Sequence, residues 1–228
     1  MKHKGKARRS ALRLIVGALA VLVALIVGGI IATFVGSLVV TLATALLGVW
    51  VVFTLFTLYF FRDPEPLVPS ASTAIVAPAH GKVDCIDQVE EPLFLGGTCQ
   101  RISIFLSVFD VHVQHAPVAG RVACLEHRDG QFLNAMKLES AEHNENLLIG
   151  LDSSEQPGEK VAVRLIAGLL ARRIVPWIAL GDTVARGERT SLIQFGSRVD
   201  LYLPLTAKVQ VRLNDKVKGG QTVVALRG

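Results

Sequence analysis

Charged side chains are missing from one long stretch of this 228-residue chain: between Arg13 and Arg62, 48 residues pass without one. That length excludes a single membrane crossing, since about 20 apolar residues traverse the hydrocarbon core. A cleaved signal peptide fits poorly, since its apolar segment is several times shorter and no cleavage pattern interrupts this one. Two spans fit, Leu14 to about Thr33 and about Leu38 to Phe60, with the bend at Gly36-Ser37. Cysteine is scarce too. Cys85, Cys99 and Cys124 are odd in number and have no metal-ligand spacing, so no metal site is expected and the thiols read as packing residues in a reducing compartment. The formal charge of +5 does not point to nucleic acid. Six of the 24 basic residues (Lys2, Lys4, Lys6, Arg8, Arg9 and Arg13) form a tail, which leaves 18 against 19 acidic residues from Leu14 onward.

A basic tail beside a first span marks the cytoplasmic side and attracts anionic headgroups. Two crossings return the chain to that side, so Arg62 and everything after it are expected on the cytoplasmic face. Tyr59-Phe60-Phe61-Arg62-Asp63-Pro64 closes the second span: the aromatics suit the interface, Arg62 can reach lipid phosphates, and Pro64 stops the helix. The Pro-containing link from Asp63 to Ser70 is short and keeps the following domain near the bilayer. The expected division is a basic tail and hairpin over 1–62 and a soluble domain over 63–228.

Helical periodicity is scarce from Thr73 onward, while β-branched runs punctuated by Gly and Pro recur. Two weak repeats stand out. Ala77-Pro78-Ala79-His80-Gly81-Lys82-Val83 is echoed by Ala116-Pro117-Val118-Ala119-Gly120-Arg121-Val122, and Asp182-Thr183-Val184-Ala185-Arg186-Gly187 by Asp215-Lys216-Val217-Lys218-Gly219-Gly220. Such units predict a mainly β fold, a small barrel or sandwich that resembles the lipoyl-type hybrid barrel, although the Met-Lys-Met setting of a carrier lysine is absent. Arg101 to Gln114 reads as a buried strand that gains polar residues at its end. If it stays extended, Asp110 and His112 share a face and His115 has the opposite parity, which favours His112 for a site lined by Asp110. A satisfied structural histidine is the alternative. Asn144-Glu145 precedes a strand, and Asp152 to Lys160 is a hairpin loop. Arg172 and Arg173 interrupt an apolar run and want either an anionic partner or solvent.

Phe195-Gly196-Ser197-Arg198-Val199-Asp200-Leu201-Tyr202-Leu203-Pro204 is a strand with a Gly-Ser step before it. With Phe60 to Pro64, the Phe109-Asp110-Val111-His112-Val113 segment, Asn144-Glu145 and Ile166 to Val175, it resembles the short bacterial form of phosphatidylserine decarboxylase, a membrane-bound pyruvoyl enzyme. The pieces occur in the same order over nearly the whole chain. The Gly-x-Ser-x-Gly elbow of serine hydrolases is absent.

The resemblance implies that the Gly196-Ser197 bond breaks itself into chains 1–196 and 197–228, which stay together as a heterodimer, with higher assembly open. The serine hydroxyl attacks the glycine carbonyl, the peptide becomes an ester, elimination releases the upstream carboxylate, and position 197 becomes a covalent pyruvoyl group. That carbonyl forms a Schiff base with phosphatidylserine in the membrane, and loss of carbon dioxide gives phosphatidylethanolamine. His112 matches the family's catalytic histidine, with His115 as a second candidate. Arg62, Arg172 and Arg173 are expected headgroup or phosphate contacts. One departure stands in the family's Pro-x-Asp-Gly segment, where this chain has His80 in place of the orienting Asp. A neutral imidazole stabilises an imidazolium poorly, so either His80 orients without charge, or Asp84 or Asp110 supplies it, or cleavage is slow. Asp110, two residues from His112, is the expected compensation. The rival reading is a non-enzymatic, membrane-tethered lipoyl-like barrel, an adaptor or a lapsed decarboxylase.

Overall fold

The structure, a computed structural model, describes residues 5–31, 37–131, 143–168, 173–194 and 197–228. They fall into two units, Gly5–Asp63 and a β-rich unit from Pro64 to Gly228.

The first unit is made of α1 (Lys6–Ile31) and α2 (Ser37–Phe60). Their apolar segments, Ala7–Ile30 and Val39–Phe60, hold 24 and 22 residues. At about 1.5 Å per residue each exceeds the roughly 30 Å of hydrocarbon that a span must cross. Val16, Val21, Ile30, Val49, Val52 and Leu55 are all exposed, an arrangement that water penalises and lipid does not. In α2 the Thr44 and Thr57 hydroxyls donate to the carbonyls four residues back, which satisfies them inside the helix. Gly36 of the expected bend lies outside the described residues.

The second unit consists of β1 (Ala74–Val76), β2 (Gly81–Glu91), β3 (Gly97–Leu106), β4 (Val113–His115), β5 (Gly120–Arg128), β6 (Asn146–Ser153), β7 (Lys160–Ala167), β8 (Ile174–Pro176), β9 (Thr183–Val184), β10 (Arg189–Ile193), β11 (Ser197–Leu203), β12 (Lys208–Val209), β13 (Lys216–Val217) and β14 (Val223–Leu226). Among the described residues, eight strands form one antiparallel sheet, β13-β2-β3-β11-β7-β6-β5-β9, which curls into a half-barrel. Two small sheets, β1-β14-β12 and β4-β10-β8, complete the unit. The fold is mainly β, as expected. Ile102, Ile104, Leu106, Val122, Leu147, Ile149, Leu165, Val199 and Leu201, all buried, fill the inside of the curl.

The sequence repeats are a structural pseudo-twofold. Val76 N–H donates to Pro117 O at 3.0 Å, and its counterpart His115 N–H donates to Pro78 O at 2.8 Å. Gly220 N–H meets Ala77 O at 2.9 Å, while Gly187 N–H meets Ala116 O at 2.8 Å. Lys82 pairs with Lys216 and Arg121 with Thr183, so the two copies start β2 and β5 in the same way. Each start needs glycine, because a methyl group at Gly81 or Gly120 would overlap the carbonyl oxygen of Phe105 or Asp152. The halves meet at the seam between β11 and β7, in the middle of the sheet.

One expected element is different. The strand read from Arg101 to Gln114 ends at Leu106, and Ser107 to Asp110 forms a turn instead of carrying the alternation through to His112. The Asp110 carboxylate accepts from Ser107 N–H at 2.9 Å and from its hydroxyl at 2.7 Å, and Asp110 N–H returns to Ser107 O at 3.0 Å. Local side-chain bonds of this kind compete with a strand ladder, and Phe109 is thereby left 64% exposed. The Asp152–Lys160 hairpin loop is present between β6 and β7.

Candidate active site

Ser197 opens β11 and lies between two neighbours, paired with Leu106 of β3 and Ala167 of β7. It shares strand parity with Val199, Leu201 and Leu203, so its hydroxyl is on the core side. The residue is fully buried, and among the described residues its Oγ has no hydrogen-bond partner. A buried hydroxyl without a partner costs about 1–3 kcal/mol. A buried polar group left without a partner calls for an explanation, and a reactive role is one. Gly196 lies outside the described residues.

The same end of the sheet is built by buried polar groups. Asn144 Nδ2 donates to Ala167 O at 2.7 Å, and Ala167 N–H donates to Glu145 O at 2.9 Å, which ties the Asn144-Glu145 pair to the residue opposite Ser197. His112 is buried, and its Nδ1 lies 2.9 Å from Asp110 O. A carbonyl only accepts, so Nδ1 carries the proton and Nε2 presents its lone pair. The His112 carbonyl accepts twice, from Gln114 Nε2 at 2.7 Å and Ile193 N at 3.2 Å, and Ser191 Oγ in turn donates to Gln114 Oε1 at 3.0 Å. Ile193 ends β10 four positions before Ser197, so His112 and Ser197 flank one short connection.

The Asp110 carboxylate therefore does not face the His112 ring: it is engaged with Ser107, and the backbone carbonyl of Asp110 orients the imidazole. Parity gave the wrong reason for their proximity, because no extended strand joins them. Asp84 is engaged as well. Arg198 donates through both terminal nitrogens to its carboxylate, Nη1 to Oδ1 at 3.0 Å.

His80 stands beside His115, with ring centroids 6.1 Å apart. Its Nδ1 accepts from Gly219 N–H at 3.2 Å, so Nε2 holds the proton. His115 is 1% exposed, and neither ring nitrogen has a partner among the described residues. Burial above all, then the neighbouring His80 and Arg189, push its pKa down to about 3, with Glu65 acting weakly the other way. Gly219 is needed there, since a methyl group would come within 2.8 Å of His115 Nδ1 and 3.0 Å of His80 Nδ1. The position that the resemblance gives an orienting carboxylate thus lies next to His115, the histidine that parity disfavoured.

The arginines are dispersed. Arg62 belongs to the helical unit, where it stacks over the Tyr59 ring at 4.0 Å and donates to Tyr59 O. Arg173 is exposed, and Arg172 lies outside the described residues. A cavity of about 200 Å³ beside Arg227 offers no free cation, because Arg227 is ion-paired with Glu155 and Glu159. No cluster of three or more His, Cys, Asp or Glu that would hold a metal occurs among the described residues. The three thiols are free; Cys99 is buried in a satellite cluster with Phe94 and Tyr202. Sequence reasoning missed Gln114, Ser191 and the buried charges around Arg198. The available signal was Arg198-x-Asp200 inside a strand with apolar neighbours on both sides.

A strand-opening serine buried without a partner among the described residues lies with buried histidines at the same end of a curled sheet, in a chain that also carries two candidate spans. The sequence matches the phosphatidylserine decarboxylase family over residues 53–225. It is 46% identical over 171 residues to a phosphatidylserine decarboxylase proenzyme of Desulfotalea psychrophila, covering 75% of this chain and 79% of that one. The corresponding proenzymes of Symbiobacterium thermophilum and Ralstonia nicotianae are 45% identical over 197 residues and 40% over 200, covering 84% and 87% of this chain and 91% and 90% of theirs. The chain belongs to the phosphatidylserine decarboxylase family. It is accordingly an enzyme of the carboxy-lyase class, which sets aside the non-enzymatic adaptor.

Proposed function

We propose that this protein converts phosphatidylserine to phosphatidylethanolamine and carbon dioxide at the cytoplasmic face of the inner membrane, using a pyruvoyl group made from its own Ser197. The observation that carries this reading is the partnerless, buried hydroxyl at Ser197, which fits a group spent as a nucleophile. In self-cleavage, Oγ attacks the Gly196 carbonyl carbon and the C–N bond breaks, leaving an ester and a free amine at residue 197. Removal of the Ser197 α-proton expels the Gly196 carboxylate from Cβ. Water then replaces the nitrogen as ammonia, and the ketone remains.

His112 takes the hydroxyl proton through Nε2, an atom left basic because Asp110 O holds the proton on Nδ1. His115 is the second base, with His80 as its polar orienter; burial makes His115 a weak one. Asp110 acts on the site by closing the turn that presents its own carbonyl. The pyruvoyl carbonyl supplies an electron sink for the bond to the departing carbon dioxide. His112 and His115 return the proton to the headgroup carbon. Arg62, Arg172 and Arg173 are each assigned to lipid headgroups or phosphates, and chains 1–196 and 197–228 remain one heterodimer, with residues 1–62 as a basic tail and membrane hairpin.

A denaturing gel with intact masses tests the reading. Two chains are expected, the shorter blocked at its N-terminus and reactive with a carbonyl reagent, and Ser197→Ala should remain one chain that releases no carbon dioxide from phosphatidylserine vesicles. Active wild-type protein with Ser197 intact would refute it. Arg173→Ala should raise KM for vesicles several-fold with little change in kcat, and an unchanged KM would remove Arg173 from the lipid site.

A further inference from the structure

We propose that the charges on the outer face of β11 set the register in which chain 197–228 stays paired after cleavage, and so fix where residue 197 sits. This rests on the self-cleavage reading. Once the bond before Ser197 is broken, β11 has a free N-terminal end between β3 and β7, and its covalent hold is only from the C-terminal side, through the segment whose β13 pairs with β2 and β14 with β1.

Apolar alternation does not complete that task. Val199, Leu201 and Leu203 face the core, so a slip of one residue would turn them outward and bring Arg198 and Asp200 in. A slip of two residues keeps every side chain on its proper face. It would nevertheless carry residue 197 about 7 Å along the sheet, away from its reaction partners.

The charges oppose such a slip in either direction. Arg198, 1% exposed, reaches across β3 to Asp84, at the irregularity in β2 between Val83 and Cys85. Asp200, 2% exposed, lies directly across from Arg164 and 3.9 Å from Arg101, which is itself paired with Asp87 at 2.6 Å. Shifted one way, Arg198 takes the place of Asp200, directly opposite Arg164 and beside Arg101, and Asp84 loses its cation. Shifted the other way, Asp200 meets Asp84, and Arg101 and Arg164 are left around Tyr202. Like charges directly opposite destabilise a strand pair, and a buried ion deprived of its partner is costlier still. Buried ion pairs add little net stability compared with apolar residues of similar volume, and fixing register is their best-attested use. Arg198, Asp84 and Asp200 are thus positioning residues.

The test is the pair Asp84→Leu with Arg198→Met, in the full-length protein in phosphatidylserine vesicles. Cleavage and melting temperature should stay near wild type, while turnover by the cleaved enzyme falls tenfold or more. Amide exchange at Ile102–Leu106 and Val163–Ala167 should accelerate in the cleaved protein, and not when the same changes are made with Ser197→Ala, where the strand remains tethered. Arg198→Lys should retain turnover. Wild-type turnover and exchange in the cleaved double variant would overturn the proposal. Should that variant not fold, Arg198→Glu and its combination with Asp84→Lys decide: the combination should recover turnover that the single change loses, and no recovery would overturn it. A wild-type chain that is never cleaved refutes the functional reading instead, and is read from the same gel.

Discussion

Replacing His80 by aspartate puts a carboxylate beside His115, where the resemblance implies one. The present neighbour is an imidazole whose ring centroid lies 6.1 Å away, and it contributes to holding the His115 pKa at about 3. At that separation, with an effective dielectric constant of about 20, a unit negative charge favours the imidazolium by about 2.7 kcal/mol, or about two pH units. If His115 acts as a base, a Brønsted slope near one half makes this about a tenfold faster cleavage at pH 7. The assay is the appearance of the 32-residue chain 197–228 on a denaturing gel after synthesis into vesicles, followed between pH 5 and 8. His80→Asn is the control: it removes the second imidazole without adding charge and should give only a small part of the gain. Unchanged cleavage in a folded His80→Asp protein would refute the role of His115 and leave His112 as the base.

Three further outcomes are expected. Asp110→Asn should leave cleavage within a few-fold of wild type, because the ring of His112 is oriented by a backbone carbonyl, and should cost about 1 kcal/mol in denaturant melts through the weakened turn at Ser107; loss of cleavage greater than a hundredfold would restore a carboxylate role. Acid should destabilise the fold through His115: its folded pKa of about 3 lies below the ordinary 6.5, so its contribution is complete above pH 6.5 and is lost as pH falls toward 3, about 1.4 kcal/mol per unit. In urea melts of uncleaved Ser197→Ala protein, His115→Gln should flatten that dependence, and an identical slope would contradict it. Gly81→Ala should destabilise by at least about 2 kcal/mol, since its φ of 155° and the Phe105 carbonyl leave no room for a methyl group; wild-type melting would show that the β2–β3 approach is looser than described.

Several features were legible in the chain because they depend on local pattern. The uncharged run from residue 14 to 61 requires an apolar environment wherever it folds, and its length sets two helices. The Ala77 and Ala116 repeats gave matching strand starts, because the same glycine is demanded by the same close approach of a neighbouring strand. The reading through His112 failed for an equally physical reason: Ser107 and Asp110 satisfy each other locally, and three short-range bonds ended an alternation that looked continuous. With the strand went the inference that Asp110 faces His112 through its carboxylate.

The amino-acid order by itself determined the two apolar helices, the β-rich composition of the remainder and the serine step at Ser197, all of which follow from hydropathy, side-chain branching and glycine placement within a few residues. Tertiary structure alone decided which histidine stands beside position 80, that Asp84 belongs to Arg198, and that the Ser197 hydroxyl is left unpaired. These partners are separated by 35 to more than 110 positions along the chain. Their meeting depends on which strands of a curled sheet lie side by side, and no periodicity within a single strand encodes that.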